Sequence, residues 1–189
     1  GKDDVTVADE LNKTGYTTGI VGKWGLAESL TDGVPNKQGF DYFYGFNKHK
    51  TAHNYYPETV WENENQLTLE GNDPYNKKGE HIHYLMTQKA SDFIEKNHKD
   101  PFFLYLAYTI PHYELTILEK EKEQYKNLGW PERKMKAAHY RHDDEGHVTY
   151  AAMVSTMDRD IGNLLKQLED LGIAENTLVV FTSDNGHEY

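Results

Sequence analysis

The sequence predicts an α/β protein with a largely parallel sheet. Amphipathic segments alternate with short apolar runs, in the order helix, strand, loop, helix, strand, helix, strand. Such alternation is typical of parallel sheets, because each crossover helix returns the chain to the end of the sheet at which the next strand starts. The length of 189 residues suits a single domain, and the chain contains no internal repeat.

The first half of the chain predicts one helix, one strand and a long loop region. The helix begins after Thr6, a favourable N-cap, and ends at Gly15. β-branched residues at 17–24 predict a strand that ends close to Lys23. Residues 28–80 have no sustained periodicity and are rich in Asn, Gly and aromatic residues. We therefore expect a long ordered loop region there that contributes to the active site.

The second half predicts further helices and strands from its apolar spacing. Helical spacing marks three segments: 82–94, 114–130 and 150–171. Unbroken apolar runs predict strands at two segments: 102–110 and 176–183. The segment 134–147 reads as a charged connection between elements.

The amino-acid composition limits the classes of partner that the chain can bind. The formal net charge of −11 is opposite to the basic surface that binds phosphate backbones, so we expect no nucleic-acid partner. Cysteine is absent, which excludes disulfides and Cys nucleophiles within this chain. No apolar stretch is long enough to span a membrane, and the acidic first residues do not resemble a signal peptide. An anionic substrate would need a local cluster of cationic or metal-binding residues.

Polar side chains follow each of the three predicted strands. Lys23 ends the first strand, His112 follows the second, and Asp184 and Asn185 follow the third. In a parallel sheet these ends lie along one edge, where α/β proteins bind ligands. A lysine can hold an oxyanion, a histidine can protonate a leaving group, and a carboxylate beside an amide suits Ca²⁺ or Mg²⁺. The pattern indicates a site that hydrolyses a phosphate or sulfate ester.

Each of these residues also fits a simpler interpretation. Asp-Asn-Gly is a common turn sequence, while Lys23 and His112 are also compatible with an ordinary surface lysine and a loop histidine. Their shared position at strand ends is what favours the functional interpretation.

Five blocks of sequence, in order, resemble the formylglycine-dependent sulfatases of the alkaline-phosphatase-like superfamily. The blocks are "TVADELNKTGYTTGIVGKWGL", "KQGFDYFYGF", "PFFLYLAYTIPH", "MVSTMDRDIGNLLKQLEDLG" and "NTLVVFTSDNG". The resemblance extends from about Val5 to Gly186. It implies a three-layer α/β/α sandwich with a mostly parallel sheet, of which residues 1–189 are the central part of a single catalytic domain.

The resemblance implies a role for each candidate residue. The family uses the Asp and Asn of "TSDNG" as Ca²⁺ ligands, which assigns Asp184 and Asn185 to a calcium site, with Mg²⁺ a weaker expectation. The lysine of "GKW" binds the sulfate oxygens, so Lys23 takes that role. The histidine of "PH" lies near the leaving oxygen, so His112 is the expected proton donor.

One block departs from the family pattern. The family has a histidine after "GKW", whereas this chain has Gly25, so one sulfate contact is missing. We hypothesise that His53 of "TAHNYYP" enters the site in its place, with Asn54 and Tyr55 beside it as substrate-binding residues. The alternative is that this motif is a structural loop that packs Tyr55 and Tyr56 into the core.

The chain also lacks the family's nucleophile. The formylglycine arises from the first residue of C-x-P-x-R, or its Ser variant, and neither motif occurs; "GWPER" around Gly129 is a chance match. The resemblance places the nucleophile and an upstream Asp pair before Gly1, and a second sulfate-binding lysine after Tyr189. We therefore expect a fragment truncated at both ends, which binds the metal weakly and is inactive alone.

The resemblance implies hydrolysis of a sulfated glycan or an aryl sulfate by a periplasmic or secreted parent protein. Exposed sheet edges would favour self-association of the fragment. Two alternatives remain open from the sequence. A phosphoryl or phosphonate hydrolase of the same superfamily would carry an upstream Thr or Ser nucleophile. A non-catalytic binding module would lack C-x-P-x-R in the parent protein.

Overall fold

The computed structural model describes residues 4–28, 31–131 and 143–186. Its strands are β1 (Thr17–Lys23), β2 (Tyr42–Phe46), β3 (Thr59–Glu62), β4 (Asn65–Thr68) and β5 (Phe102–Ala107). Its α-helices are α1 (Val7–Lys13), α2 (Ile82–Asn97), α3 (Glu119–Lys122) and α4 (Gly146–Asp170). Short 3₁₀ helices occupy Pro35–Lys37, Lys50–His53 and Ala174–Asn176.

The five strands form one mixed sheet in the order β4-β3-β2-β1-β5. β1 pairs in parallel with β2 and with β5; the parallel arrangement of β1 and β5 agrees with the prediction. The sheet is less parallel than expected, because β3 and β4 add an antiparallel hairpin beside β2. The hairpin turns at Asn63, whose φ of 53° suits an asparagine in a tight turn.

Helices cover both faces of the sheet. Ile20 of β1 lies in a buried cluster with Ala8 of α1. The next residue, Val21, lies in a different cluster with Met86 of α2 and Met153 of α4. Successive residues of a strand point to opposite faces, so α1 lies on one side and α2 with α4 on the other. The expected three-layer α/β/α arrangement is confirmed.

The predicted start and end of α1 are also confirmed. The Thr6 hydroxyl oxygen accepts from the Asp9 amide at 3.1 Å, and the Asp9 carboxylate accepts from the Thr6 amide at 2.8 Å. This reciprocal capping box satisfies two amides that a helix otherwise leaves unpaired. The chain leaves the helix through Gly15, whose φ is 89°.

The region 28–80, predicted as a long ordered loop region, contains three strands, β2, β3 and β4. β2 is the central strand and is buried over four of its five residues. A strand buried on both faces has no alternation of apolar and polar residues. The sequence "YFYGF" therefore lacks the period-2 pattern by which strands are recognised.

Two other predicted elements differ from the structure. Helix 114–130 is reduced to α3, Glu119–Lys122. The strand at 176–183 does not form, and Leu178, Val179, Val180 and Phe181 are 51–89% exposed. No described strand pairs with this segment, and an isolated apolar run cannot satisfy a strand's hydrogen bonds. Most of the predicted connection at 134–147 lies outside the described residues.

The exposed run at 178–181 predicts self-association of the isolated chain. A contiguous apolar segment of this length is favoured to pair with an identical segment or an open strand edge. We expect sedimentation to detect oligomers, and Val180→Lys to shift them towards monomer. Val5→Lys, at a residue that is 68% exposed elsewhere, is the control and should have no effect. A monomeric wild-type chain would contradict the prediction.

A buried histidine begins α2 and requires a neutral ring. His81 is 3% exposed; its Nδ1 accepts from the His83 amide at 3.3 Å, and its Nε2 lies 3.1 Å from the Thr116 carbonyl oxygen. Since Nδ1 accepts, Nε2 carries the proton and donates to Thr116. Burial lowers the pKa of His81 from 6.5 to about 4.

This depressed pKa predicts a loss of stability in mild acid. Below pH 6.5 the unfolded chain binds a proton on His81 that the folded chain does not, until the pH approaches 4. The His81 contribution is complete above pH 6.5 and should fall by up to about 2 kcal/mol by pH 5. Urea unfolding at pH 7 and 5 measures this loss. His81→Asn, which keeps an N-cap acceptor, should weaken the pH dependence; an unchanged dependence would exclude His81 as the cause.

Candidate active site

The candidate site lies where the three parallel strands end. Lys23 at the end of β1 is opposite Phe46 at the end of β2, and Gly22 is opposite Ala107 at the end of β5. A Cβ atom at Gly22 would overlap the Ala107 carbonyl oxygen. Glycine therefore lets the strand ends approach closely, and the loops that follow them converge at one edge.

Lys23 places a cationic side chain at this edge. Its side chain is half-buried, and the chain turns directly after it because the amides of Trp24 and Gly25 both donate to the Phe46 carbonyl oxygen, at 3.0 and 3.4 Å. Among the described residues no carboxylate forms an ion pair with Lys23. Its charge is thus not neutralised by a described carboxylate.

Gly25 leaves space beside this lysine. Its φ is 73°, and a Cβ atom there would lie 3.5 Å from Lys23 Cε and 3.8 Å from His49 Cα. At this position the β1 loop therefore has no side chain between Lys23 and His49.

Three histidine rings form a row at the same edge. The rings of His53 and His112 stack with centroids 4.5 Å apart and planes 17° from parallel. His49 contacts His53 edge-on, at 4.7 Å and 81°. His49 and His53 follow β2, whereas His112 follows β5. The structure thus brings together the predicted residues His53 and His112 from loops 59 residues apart in sequence number.

Two further residues lie at this edge that the sequence did not predict as site residues. His49 was signalled only by its spacing of four from His53, in a segment without clear periodicity. Asn47 directly follows β2 and is 2% exposed, and its Oδ1 has no hydrogen-bond partner among the described residues. A buried amide oxygen of this kind is normally satisfied in the complete, solvated protein.

Tyr55 fixes the two loops to each other. Its hydroxyl donates to the Thr109 carbonyl oxygen at 2.9 Å, and its ring stacks on His81 at 5.1 Å. Tyr55 is 1% exposed, so its ring cannot stack on a substrate. Asn54 accepts from the Tyr56 amide at 2.9 Å and shapes the turn. The substrate-binding prediction for Tyr55 is corrected to a structural role, and the Asn54 contact is likewise local.

The predicted metal ligands do not reach this edge as part of a strand. Asp184 and Asn185 are exposed in a bend, in which the Ser183 hydroxyl donates to the Asn185 carbonyl oxygen at 2.7 Å. Within the described ranges no group of three or more acidic or histidine side chains could hold a metal ion. Calcium requires about six to eight oxygen ligands. The described residues alone therefore do not form a calcium site.

The helices carry no membrane-spanning signal: within the described residues, none combines the length and the apolar character needed to cross a bilayer.

The strand ends thus carry Lys23, which forms no ion pair with a carboxylate of the described ranges, and a row of three histidine rings. The chain belongs to the sulfatase family, since a family profile described as "Sulfatase" matches residues 1–189. The expected family resemblance is confirmed.

Two sulfatases are similar in sequence to almost the whole of this chain. An arylsulfatase of Hemicentrotus pulcherrimus is 30% identical over 98% of this chain and 32% of its own length. The N-acetylgalactosamine-6-sulfatase of Mus musculus is 34% identical over 93% of this chain and 32% of its own length. The chain thus spans about a third of these relatives, so it corresponds to a fragment of them.

A solved structure is similar in fold. The crystal structure of Ps i-CgsB in complex with k-i-k-neocarrahexaose has a TM-score of 0.70 and 26% identity, and the match covers 91% of this chain and 38% of that one. The α/β fold of part of a sulfatase domain is confirmed.

Proposed function

We propose that the protein to which this chain belongs is a sulfuric ester hydrolase. The observation that carries the proposal is the convergence of Lys23, His53 and His112 at one sheet edge, in a chain of the sulfatase family. A cation without a described carboxylate partner favours an anionic group. Stacked histidines beside it supply hydrogen-bond donors to that group.

Each residue has one task in this proposal. Lys23 binds the sulfuryl oxygens and stabilises the negative charge that develops on them. His112, at the end of the β5 loop, donates its proton to the departing alcohol oxygen. His53 makes the sulfate contact for which Gly25 has no side chain. The loops that carry the two histidines are held together by the Tyr55–Thr109 hydrogen bond.

The nucleophile and part of the metal site would come from the rest of the protein. The sequence contains no C-x-P-x-R motif, so we propose a formylglycine upstream of this chain. Asp184 and Asn185 would contribute two of the ligands for Ca²⁺, with Mg²⁺ the weaker candidate. The isolated chain of 189 residues is then expected to release no sulfate.

The proposed substrate is a sulfated glycan or an aryl sulfate. The names of the relatives, arylsulfatase and N-acetylgalactosamine-6-sulfatase, support this class. The carrahexaose complex of Ps i-CgsB supports a glycan. A periplasmic or secreted location is proposed from the resemblance to bacterial glycan sulfatases.

Release of inorganic sulfate by the full-length protein tests the proposal. The assay compares sulfated monosaccharides and aryl sulfates with the matching phosphate esters. We expect sulfate release and little phosphate release, because the family profile favours the sulfatase over the phosphoryl-hydrolase alternative. Phosphate release alone would support that alternative. Release of neither ion would support the non-catalytic binding module.

Replacing His53 by alanine should reduce turnover by about 10²-fold in the full-length protein, the usual effect of removing one transition-state donor. The substitution removes the proposed contact between the sulfate group and His53, whose ring stacks on His112. Steady-state kinetics with circular dichroism as a folding control measures the effect. An unchanged rate would show that His53 does not enter the site.

A further inference from the structure

The loop between β4 and α2, residues 69–80, begins at the same sheet edge as the candidate site. β4 pairs antiparallel with β3, and β3 pairs antiparallel with β2, so β4 runs in the same direction as β1 and β2. Thr68 at the end of β4 is opposite Thr59 at the start of β3. The chain therefore leaves β4 at the edge where Lys23 ends β1.

We propose that this loop is a glycan-binding subsite, in which the ring of Tyr75 stacks on a sugar next to the sulfated sugar. Residues 69–80 are called the Tyr75 loop below. The inference rests on the proposed function for the class of substrate, and it narrows that class to a sulfated oligosaccharide or polysaccharide.

The Tyr75 loop is hydrogen-bonded to the segment that carries His53. The Asn72 side-chain amide donates to the Pro57 carbonyl oxygen at 2.9 Å and to the Glu80 carbonyl oxygen at 3.0 Å. Pro57 follows His53 by four residues, a length of chain that spans at most about 14 Å. The loop is therefore attached close to the candidate site, where an oligosaccharide bound at His53 extends towards it.

Hydrogen bonds within the Tyr75 loop hold its tip in place. The Asp73 carboxylate accepts from the amides of Tyr75 and Asn76, at 2.8 and 3.0 Å, and from the Asn76 side-chain amide at 2.6 Å. The backbones of Asp73 and Lys78 pair across the tip, with amide-to-carbonyl distances of 2.9 and 3.2 Å. A loop that is already ordered loses less conformational entropy when a ligand binds.

The Tyr75 ring lies in solvent. It is 85% exposed and belongs to none of the hydrophobic clusters formed by the described residues, whereas Leu69 at the start of the loop packs against the core. A single exposed aromatic residue is common on protein surfaces. This one is distinguished by its place on a hydrogen-bonded loop at the edge that carries the candidate site.

The neighbours of Tyr75 in the loop suit a sugar better than a protein surface. They are mostly polar, and the side chains of Asn76 and Lys78 are exposed. A protein partner would require a contiguous apolar patch. A pyranose has an apolar C–H face that packs on an aromatic ring, and hydroxyl groups that bond to the polar side chains beside the ring.

Kinetics of Tyr75 variants of the full-length protein test the proposal. Tyr75→Ala should raise KM for a sulfated hexasaccharide by about 10-fold with kcat unchanged, because one stacking contact is lost. KM for a sulfated monosaccharide and for 4-nitrophenyl sulfate should not change. Tyr75→Phe keeps the ring and should match wild type. Tyr16→Ala is the control, since Tyr16 is exposed directly before β1, at the opposite edge of the sheet.

Two kinetic results would overturn the proposal. A wild-type KM for the hexasaccharide in Tyr75→Ala would show that the ring does not contact the glycan. An equal rise in KM for the hexasaccharide and the monosaccharide would show that Tyr75 does not act on a neighbouring sugar.

Binding without turnover separates this inference from the proposed function. Calorimetry measures Kd in His112→Ala protein, in which hydrolysis of a sugar sulfate is expected to be slow, with and without Tyr75→Ala. The probes are k-i-k-neocarrahexaose, the ligand in the Ps i-CgsB structure, and a hexasaccharide that contains N-acetylgalactosamine 6-sulfate. We expect Tyr75→Ala to weaken binding of at least one of them by about 10-fold.

The outcomes of the two assays are distinguishable. If the wild-type protein releases no sulfate from any ester but binds a hexasaccharide through Tyr75, the proposed function fails and the subsite stands. If the protein releases sulfate from small esters and Tyr75→Ala does not weaken binding of either hexasaccharide, the subsite is overturned and the proposed function stands.

Discussion

Lys23→Ala in the full-length protein is expected to lower kcat/KM for a sulfate ester by about 10²–10³-fold. Lys23 ends β1 at the sheet edge, and among the described residues no carboxylate neutralises it. We therefore expect its ammonium group to interact with the sulfuryl oxygens at nearly full strength. Sulfate release under limiting substrate measures the loss.

Two further variants make this test specific. Lys23→Arg keeps the charge but replaces a compact ammonium by a larger planar group, so we expect only partial activity. Lys166→Ala removes an exposed lysine that pairs with Asp170 on α4, and should leave the rate unchanged. Wild-type kcat/KM in Lys23→Ala would contradict the assigned role.

His112→Ala should lower the rate by an amount that depends on the leaving group. A proton donor typically contributes about 10²–10⁴-fold when the departing oxygen needs protonation. We expect a loss in this range for an alkyl or sugar sulfate. The loss should be much smaller for 4-nitrophenyl sulfate, whose phenolate leaves without help. Measurement of kcat for sulfate esters with a series of leaving groups gives the slope of log kcat against the pKa of the leaving group.

The control for this series is His98→Ala, at the C-cap of α2 and remote from the sheet edge. It should show the wild-type slope. A His112→Ala variant whose loss is the same for all leaving groups would show that His112 binds the sulfate and does not donate the proton.

Locally determined elements of the fold were predictable from the sequence. The N-cap at Thr6 and the helical spacing of α2 and α4 are properties of neighbouring residues, and they appear as expected. β2 was missed because burial on both faces removes the alternation that marks a strand. The segment 176–183 was assigned to a strand from its apolar residues alone, but pairing requires a partner strand that local sequence cannot reveal.

The positions of two residues of the candidate site were predictable, because the strand order determines them. Lys23 and His112 follow parallel strands, so their shared edge follows from the strand order. The contact between His49 and His53 depends on ring packing within a loop, and no periodicity in the sequence indicates such packing. Tyr55 was misplaced because an aromatic motif does not distinguish a core ring from a substrate-facing one.

A crystal structure of the full-length protein with bound inorganic sulfate, or with a slowly hydrolysed sulfate ester, would show whether the sulfate group binds at the proposed site. We expect a sulfate group within hydrogen-bonding distance of Lys23 Nζ and of the rings of His53 and His112, at the carboxyl edge of β1, β2 and β5. A sulfate group bound at another surface, with these three side chains contacting only protein or water, would contradict it.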